Sequence, residues 1–333
     1  MTLKYLLPLL CLAACAADSP PPSGDGFTLA FPVDCTLGDD CRVMNYADHD
    51  ARKGEVTDAA CGARAYDGHK GTDIAVRDWS VAQSGVAILA PAAGKVLGVR
   101  DGESDQFPDA AKIAQIKARG RECGNGVRLQ HANGYTTQFC HMKKGSVAVA
   151  LGDSLEAGAK LGEIGMSGIT EHPHMHMTLM RDDAVIDPFT GRQTSQPCGL
   201  DDAAPLWAGP IPYTGFSLYD AGFTAGRPDF DALARGKGRA EPGATSPALV
   251  FFATYFGALP GDKIELIITR PDGSEFARQT ITHKNTKARQ SYFAGRKNSK
   301  GRFMPGAWNA KAVITRPDTG ERQDVSRTIT FGD

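Results

Sequence analysis

Short apolar runs separated by glycine-containing turns recur along most of this chain. Residues 127–131 and 135–141 are two such runs, and they flank Asn133 and Gly134. An Asn-Gly pair favours the positive φ angles that both central residues of a tight hairpin need. Runs this short, and this often interrupted by turns, predict an all-β fold of antiparallel sheets rather than a helical one.

One segment departs from this pattern. Residues 108–119 begin with Pro108, which suits a first helical turn, and carry a thin apolar stripe of Ile113 and Ile116. The segment therefore predicts a helical insertion between strands, with Asp105 as its N-cap. Two interpretations are open for this insertion: a cover over a neighbouring cleft, or a surface excursion.

The length of the chain, 333 residues, is enough for two domains. Hydrophobic residues make up 41% and charged residues 23%, which is ordinary for a globular protein. No apolar run reaches the roughly 18 residues that would suggest a membrane span. The 37 basic and 38 acidic residues leave a net charge of −1, so we expect no nucleic-acid partner.

The first residues have the layout of a secretory signal. A short apolar run ends in Leu12-Ala13-Ala14-Cys15, which is similar to the lipobox of bacterial lipoproteins. In that motif the cysteine becomes the first residue and is acylated. We therefore expect a signal peptide over residues 1–15, a lipid anchor on Cys15 and a flexible, proline- and glycine-rich tether over residues 16–26. A plain signal peptide cleaved beside these small residues is the alternative.

Six cysteines follow the signal, and an even number in an exported protein predicts disulfides. Sequence alone does not decide how they pair. Cys35 and Cys41 flank a Gly-Asp-Asp turn, and theirs is the one pairing that we predict. The absence of any C-x-x-C spacing argues against a structural metal site. The expected location is an oxidising one, the periplasm or cell envelope, with the choice of membrane open.

Histidines fall into three clusters. The first is His69-Lys70-Gly71-Thr72-Asp73, the second is His141 at the end of the predicted hairpin, and the third is His172-Pro173-His174-Met175-His176. Side chains alternate between the faces of a strand, so His174 and His176 point the same way. Two imidazoles side by side suit a metal ligand with a neighbouring catalytic base. Each cluster alone is a weak signal, because a single histidine is usually a turn or core residue.

The order and spacing of these clusters resemble those of the lysostaphin-type (LytM-like) zinc metallopeptidases, which cut peptide bridges in bacterial cell wall. That family has Gly-His-x-Gly-x-Asp, then Tyr/Phe-x-His after a hairpin, then Ser-Gly-x-x-x-x-Pro-His-x-His. The matching sequences here are Gly68-His69-Lys70-Gly71-Thr72-Asp73, Phe139-Cys140-His141, and Ser167-Gly168 followed by Pro173-His174-Met175-His176. The resemblance covers about residues 62–190.

The resemblance implies one Zn²⁺ ion held by His69, Asp73 and His176. Three protein ligands leave a fourth position for water, as in catalytic zinc sites. It also implies two catalytic histidines, with His174 as general base and His141 as oxyanion stabiliser or partner in proton transfer. We therefore expect a lysostaphin-type peptidase domain over residues 27–200.

The sequence departs from the family pattern in several places. His172 stands where a glycine usually precedes the proline, and we expect it at the rim of the site rather than on the metal. Met177 and Thr178 replace the usual Phe-Glu after the second histidine, and residues 102–123 are longer than in compact members. These changes bear on substrate fit more than on metal binding. His131 is interpreted as structural.

Two nucleophilic alternatives are poorly supported. Gly165-Met166-Ser167-Gly168 lacks the closing glycine of a serine-hydrolase elbow. Cys140 adjoins His141, but adjacent strand residues face opposite sides, and cysteines of exported proteins mostly pair. The sequence contains no phosphate-binding loop and no dinucleotide-binding motif.

Residues 204–333 have a different character. Alternating or apolar runs such as 248–256, 264–268 and 308–316 are separated by Pro-Gly and Pro-Asp turns. Short strands at even spacing predict an immunoglobulin-like β-sandwich. This part offers no metal-binding cluster and no nucleophile, so we expect it to serve binding, positioning or autoinhibition.

A basic run lies within this second part. Residues 284–302 contain seven basic residues and no acidic ones. One interpretation is contact with an anionic envelope polymer or phosphate, and the other is a solvated hairpin.

The sequence leaves three functions open. The first is a zinc-dependent endopeptidase, anchored in the cell envelope, that cuts peptide cross-links of peptidoglycan; a periplasmic location favours D-alanyl–diaminopimelate bridges over polyglycine. The second is a catalytically silent wall-binding module that regulates another wall hydrolase, and the intact ligand set argues against it. The third, a lipoyl-type or phosphocarrier module, is disfavoured by the export signal and by Asp73.

Overall fold

The computed structural model describes residues 26–332. The predicted signal peptide, Cys15 and all but the last residue of the predicted tether lie outside this range. The chain forms two β-rich parts, with one buried apolar cluster drawn from residues 27–207 and a second drawn from residues 216–331. Within the described range, no helix combines the length and apolar character needed to cross a membrane.

The first part is mostly antiparallel strands. They are β1 (Cys41–Asn45), β2 (Thr72–Val76), β3 (Ala87–Leu89), β4 (Gly94–Arg100), β5 (Asn125–Gln130), β6 (Tyr135–Met142), β7 (Ser154–Leu155), β8 (Lys160–Glu163), β9 (His174–Arg181), β10 (Ala184–Asp187) and β11 (Arg192–Gln193). Nine of them form one sheet in the order β1-β2-β9-β6-β5-β4-β7, with β10 and β11 continuing from β9. β3 and β8 form a separate pair. The predicted all-β, antiparallel class is confirmed.

The hairpin between β5 and β6 forms where the Asn-Gly pair predicted it. Asn133 and Gly134 both have positive φ, 57° and 78°, within a short 3₁₀ turn (Ala132–Gly134). The strands then pair from Gln130 opposite Thr136 onward, with one register shift near Val127. This hairpin places the end of β6 in the middle of the sheet, beside β9.

The predicted helical insertion is also present, as α2 (Ala110–Ala118); the first part has one other helix, α1 (Trp79–Gln83). The predicted cap was wrong, because Asp109 rather than Asp105 accepts a hydrogen bond from the Lys112 amide. The Asp105 carboxylate instead accepts from the amides of Met166 and Lys144, at 2.7 and 3.0 Å. Asp105 therefore ties the insertion to the loop before β9.

Three disulfides link the six cysteines of the described chain. The predicted Cys35–Cys41 bond is confirmed, and the other two join Cys61 to Cys198 and Cys123 to Cys140. The Cys61–Cys198 bond spans 137 residues of sequence and ties the end of the first part back to its start. Cross-links that close long loops restrict the unfolded chain most.

The second part is a sandwich of two antiparallel sheets. Its strands are β12 (Ser217–Thr224), β13 (Ala248–Ala258), β14 (Lys263–Thr269), β15 (Glu275–Thr282), β16 (Lys287–Lys297), β17 (Gly306–Thr315) and β18 (Arg322–Phe331), with one helix, α3 (Phe230–Ala234). The sheets have the orders β12-β13-β16 and β15-β14-β17-β18. Alternate residues of each strand, such as Ile264, Leu266 and Ile268, are buried between them. This three-on-four arrangement fits the predicted immunoglobulin-like sandwich.

The two parts are joined by a segment that packs with the first. Leu206 and Trp207, beyond residue 200 where we expected the first domain to end, are buried in its apolar cluster. The Leu29 amide donates to the Leu206 carbonyl at 2.7 Å. The linking segment is thus held against the first part before the chain enters β12.

Candidate metal centre and active site

Three of the predicted site residues lie on two neighbouring strands. Asp73 in β2 is directly opposite His176 in β9, and Ala75 is opposite His174. Residues paired across antiparallel strands project to the same face, so Asp73, His174 and His176 share one face of the sheet. On the other side of β9, Cys140 of β6 lies opposite His176, which brings the adjacent His141 to the same place.

His69, Asp73 and His176 converge on one point. Their candidate ligand atoms all lie within 4.8 Å of one another. His176 Nδ1 is 2.8 Å from Asp73 Oδ1, and His69 Nε2 is 3.1 Å from each of those two atoms. His69 and Asp73 are almost fully buried, at 2% and 1% exposure.

The remaining polar atoms of these three side chains have partners of their own. His69 Nδ1 donates to the Tyr46 carbonyl at 2.6 Å, and Asn45 Nδ2 donates to Asp73 Oδ2 at 2.9 Å. His176 Nε2 lies 2.9 Å from Thr178 Oγ1. A histidine that binds a metal through one nitrogen carries its proton on the other, and a partner there fixes the ring. Two imidazoles and a carboxylate oriented in this way fit a catalytic zinc site.

The glycine of the first motif is required by packing. A Cβ on Gly71 would overlap the Met177 carbonyl oxygen and lie 2.9 Å from His176 Nε2. Only a residue without a side chain lets the loop between His69 and Asp73 approach β9 this closely. The glycine therefore brings the ligands of the loop and of β9 together.

His141 and His174 stand beside this cluster, with their ring centroids 4.7 Å apart. His141 Nδ1 donates to the Ser167 carbonyl, and His174 Nδ1 donates to the His172 carbonyl, both at 2.8 Å. Each neutral ring therefore keeps the lone pair of Nε2 free. His174 Nε2 points toward the cluster, 3.5 Å from Asp73 Oδ1.

An unusual backbone conformation turns His141 into the site. Its φ is +62°, in the left-handed region that residues other than glycine rarely adopt. The His141 amide donates to the Cys123 carbonyl at 2.8 Å, and the Cys123–Cys140 disulfide lies next to it. Both Cys140 and His141 line the same cleft, against the alternation expected in a regular strand. Strained backbone of this kind is typical of functional positions.

The protonation of the histidines at the site depends on their burial and on the charge of Asp73. Burial alone would raise the pKa of Asp73, but the neighbouring His69 and His174, with hydrogen bonds from His174 and His176, hold it well below its ordinary value. Burial, together with the neighbouring His174 and His176, lowers the pKa of His141 to about 3. Burial also lowers the pKa of His176. Burial alone would lower the pKa of His69 as well, but Asp73 and the Tyr46 carbonyl raise it. Neutral rings near an ionised carboxylate are the forms that bind a metal or accept a proton.

The site opens into a cleft of roughly 370 Å³. Its lining includes His69, His141 and His176, together with Tyr66, Lys70 and Glu122. Glu122 follows α2, but α2 itself contributes no residue to the lining of the cleft.

The other histidines have structural partners. His172 is buried rather than at the rim, because its Nε2 donates to the Val76 carbonyl at 2.8 Å. His131 bonds the Ala93 carbonyl and Thr137 Oγ1, as a structural residue would. His49 pairs with Asp187, and His283 Nδ1 lies within hydrogen-bond distance of the Tyr292 hydroxyl.

Several residues of the site were not predicted from the sequence. Tyr66 stacks on His69 with ring centroids 4.3 Å apart, and Asn45 and Tyr46 hold the ligands from β1 and its end. Thr178 was noted only as a departure from the family pattern. No sequence periodicity identifies such residues, because they act through backbone carbonyls or cross-strand contacts.

The serine alternative considered from the sequence does not fit the structure. Ser167 Oγ donates a hydrogen bond to the Met142 carbonyl and accepts one from the Asn125 amide, which excludes it as a nucleophile in this conformation.

Comparison with known proteins agrees with this geometry. The family model described as peptidase family M23 matches residues 67–188. An uncharacterized metalloprotease of Haemophilus influenzae is 27% identical over 135 residues, 40% of this chain and 23% of that protein. An uncharacterized metalloprotease of Buchnera aphidicola is 33% identical over 67 residues, 20% of this chain and 17% of that one. The chain thus spans about a fifth of the length of these curated relatives.

A solved structure is also similar to part of this chain. The catalytic domain of the antimicrobial peptidase lysostaphin from Staphylococcus simulans aligns with 43% of this chain and 85% of its own, at 19% identity and a TM-score of 0.27. The matched segment begins just before His69 and ends just after β10, so it contains every predicted ligand and both further histidines. Residues 67–188 of this chain therefore match the model of peptidase family M23, in agreement with the resemblance to lysostaphin-type metallopeptidases found in the sequence.

Proposed function

We propose that this chain is a zinc-dependent endopeptidase that hydrolyses peptide cross-links of bacterial peptidoglycan. The observation that carries the proposal is the convergence of His69, Asp73 and His176, of which His69 and His176 line an open cleft. Their donor atoms fit one Zn²⁺ ion, and a substrate can reach them from the cleft. At such sites zinc polarises a carbonyl and lowers the pKa of water toward about 7.

The two further histidines supply proton transfer in this proposal. With its Nδ1 proton on a backbone carbonyl, each ring presents an Nε2 lone pair, so each can accept a proton from an attacking water. His174 is the better placed, because its Nε2 faces Asp73 and the ligand cluster. His141 in its neutral form is an acceptor, and it becomes a donor to a developing oxyanion only after it has been protonated. The proton can then pass to the leaving amine.

The substrate and location are proposed on chemical grounds. The six cysteines of the described chain are all paired, which suits an oxidising envelope compartment. A lipid anchor on Cys15 and a tether would hold the enzyme in the periplasm, at the inner or outer membrane. Stem peptides joined directly through D-alanyl–diaminopimelate bonds are the cross-links expected there.

The experiment is digestion of cross-linked peptidoglycan by the purified chain. We expect release of peptides that mass spectrometry identifies as cleaved cross-links, loss of this release after chelation, and its return on adding zinc. His176→Ala should be inactive, and His131→Ala, which alters a structural histidine outside the cleft, is the matched control. No metal-dependent cleavage by wild type would contradict the proposal. Metal-free protein that still binds wall would favour the silent regulatory module instead.

The basic run of the second part gives a further partner proposal. The run is not a single patch, because Arg289 turns toward the first part and Lys297, Lys300 and Arg302 lie at the far end of β16. These three residues and Arg270 line a depression of about 310 Å³ that contains one acidic residue, Asp272. We propose that an anionic envelope polymer bearing phosphate binds there.

Binding of polyphosphate of defined length tests this partner. The double variant Lys297→Glu/Lys300→Glu should lose the salt-sensitive binding that wild type shows. Lys112→Glu/Lys117→Glu, with the same charge change on α2, should bind as wild type does. Equal binding by all three chains would contradict the proposal, and binding only to anionic lipid vesicles would indicate a membrane surface instead.

A further inference from the structure

The segment just before His174 is in contact with the C-terminal sandwich. The ring of His172 lies edge-on to two aromatic rings of the sandwich, with centroid distances of 5.2 Å to Tyr219 and 5.3 Å to Phe256. Those two rings are stacked on each other at 4.1 Å. Arg289 Nη1 donates to His172 Nδ1 at 3.4 Å. A glycine, the usual residue of the family at this position, could make none of these contacts.

The same ring is also held by the first part. His172 Nε2 donates to the Val76 carbonyl at the end of β2, at 2.8 Å, and the side chain is buried. With its proton on Nε2, the ring leaves Nδ1 as the acceptor for Arg289. His172 therefore connects β2 with the sandwich.

The backbone of His172 acts directly on the candidate general base. Its carbonyl oxygen accepts a hydrogen bond from His174 Nδ1 at 2.8 Å and one from Thr170 Oγ1 at 2.6 Å. The carbonyl thereby fixes the tautomer of His174 and directs its Nε2 toward Asp73. The residue whose ring is clamped by the sandwich is thus the residue that orients His174.

The strands of the sandwich place Tyr219, Phe256 and Arg289, the three residues that contact His172, next to one another; we call these three residues the clamp. The pairing of β12 with β13 shifts register between Leu218 and Asp220, so Tyr219 is the extra residue of a β-bulge. Bulges re-aim a side chain out of its regular direction. On β13, Phe256 lies directly opposite Arg289 of β16, which places the aromatic ring and the guanidinium side by side.

A charged contact beside the clamp fixes its position. Arg239 of the second part forms ion pairs with Asp78, two residues after Val76, at 2.9 Å, and with Asp220, next to Tyr219, at 2.7 Å. Both carboxylates are nearly fully buried. The lining of the active-site cleft, within the described residues, comes entirely from residues 66–178. The sandwich therefore contacts His172 without entering the cleft, which does not fit the autoinhibition considered from the sequence.

We infer that the C-terminal sandwich is a positioning element of the active site, in which Tyr219, Phe256 and Arg289 hold His172 so that its carbonyl orients His174. The inference rests on the proposed function for the role of His174. On this inference, the C-terminal sandwich affects kcat, through the orientation of His174, and does not affect substrate binding. The three sandwich residues are positioning residues, since none of them reaches the cleft.

The test uses Tyr219→Ala and Arg289→Ala in the full chain, assayed on a purified cross-linked muropeptide. Each variant should lower kcat by about tenfold, the scale of a small misplacement of a catalytic group, with KM and zinc content unchanged. Tyr219→Phe, which keeps the ring, should restore kcat. Phe223→Ala on the same strand, which packs inside the sandwich, and Arg278→Ala on its surface are the matched controls.

A second readout does not depend on activity. In protein labelled with ¹⁵N-histidine, the Nδ1 proton of His174 should give a hydrogen-bonded signal that shifts or broadens in Tyr219→Ala and Arg289→Ala but not in the controls. An unchanged kcat together with an unmoved His174 signal would overturn the inference, as would an equal fall of kcat in Phe223→Ala. If wild type cleaves nothing, the proposed function fails, and the His174 signal alone then decides whether the clamp positions this ring.

Discussion

At the scale of single residues, the site depends on which ring nitrogen of each histidine is engaged by the surrounding protein. His69, His141 and His174 all donate from Nδ1 to backbone carbonyls, whereas His176 turns the other way and places Nε2 against Thr178. The pattern frees three Nε2 atoms and one Nδ1 atom for a metal or a proton. Partners of this kind set the orientation and basicity of metal-binding histidines.

Thr178 is therefore expected to matter for metal affinity. Thr178→Val keeps the shape of the side chain but removes the acceptor for the His176 Nε2 proton. We expect zinc affinity to fall about tenfold to a hundredfold, measured by competition with a chromophoric chelator. Thr178→Ser should bind zinc as wild type does. Equal affinity of the valine variant would show that His176 is oriented by packing alone.

A second residue-scale prediction concerns pH and stability. His49 places Nε2 2.9 Å from Asp187 Oδ2 and Nδ1 3.1 Å from the Gln196 carbonyl. Burial alone would lower the pKa of His49, but the hydrogen bonds to these two acceptors and the charge of Asp187 raise it. A raised pKa stabilises the fold fully below the unfolded value of about 6.5, and this contribution is lost as the pH rises through the folded value.

The free energy of unfolding should show this difference. From about pH 6.5 upward, the free energy of unfolding of wild type should fall relative to that of His49→Asn, as His49 loses its proton. Urea unfolding of both proteins over a pH series measures the difference. A difference that does not change with pH would contradict the raised pKa.

The convergence of His69, Asp73 and His176 could be expected from the sequence, because the family resemblance assigns its metal motif to these three positions. The role of His172 could not be predicted, because nothing in the local sequence distinguishes a histidine at the rim of the site from a buried one. Its contacts come from residues 219, 256 and 289, which only tertiary packing brings together. The same holds for Tyr46, whose backbone carbonyl serves His69.

At the scale of elements, local signals predicted local structure. The predictions of a turn at Asn133-Gly134 and of strands on both sides of it are confirmed. They succeeded because asparagine and glycine adopt positive φ angles readily, whatever the rest of the fold does. The cap of α2 was misassigned, because a carboxylate four residues upstream had a long-range partner that the sequence does not reveal. The pairing of β2 with β9, which builds the site, joins positions about a hundred residues apart, and only the family resemblance pointed to it.

The close contact between the loop before β2 and β9 gives an element-scale prediction. Gly71→Ala would push a methyl group against the Met177 carbonyl and the His176 ring. We expect a loss of about 1–3 kcal/mol in the free energy of unfolding, the usual range for overpacking, and weaker zinc binding. Gly98→Ala in β4, where a Cβ has open space, is the control. Denaturant titration with unchanged stability of Gly71→Ala would show that β9 can move away freely.

At the scale of the whole molecule, the two parts share a polar, buried interface. Arg64 of the first part donates to the carbonyls of Val43 and Met44 and, across the interface, to the Thr214 carbonyl and Ser217 Oγ. Arg42 Nε donates to the Leu218 carbonyl at the edge of the sandwich. Such contacts make the relative position of the two parts a property of the fold.

Removing Arg64 should weaken the molecule as a whole. Arg64→Met leaves several buried acceptors unpaired, and we expect a loss of about 3 kcal/mol in the free energy of unfolding. Calorimetry should show a lower Tm for this variant than for wild type. Arg52→Met, which removes an exposed ion pair with Asp50, should melt as wild type does. A wild-type Tm for Arg64→Met would mean that the interface contributes little to stability.

In the proposed site His69, Asp73 and His176 bind zinc, whereas His141 and His174 transfer protons. The zinc content of single variants tests this assignment most directly. Elemental analysis of the purified chain should give one zinc per molecule in wild type, and little or none in His69→Ala, Asp73→Ala and His176→Ala. His141→Ala and His174→Ala should keep their zinc and lose turnover. Full zinc occupancy in Asp73→Ala, or its loss in His141→Ala, would contradict the account.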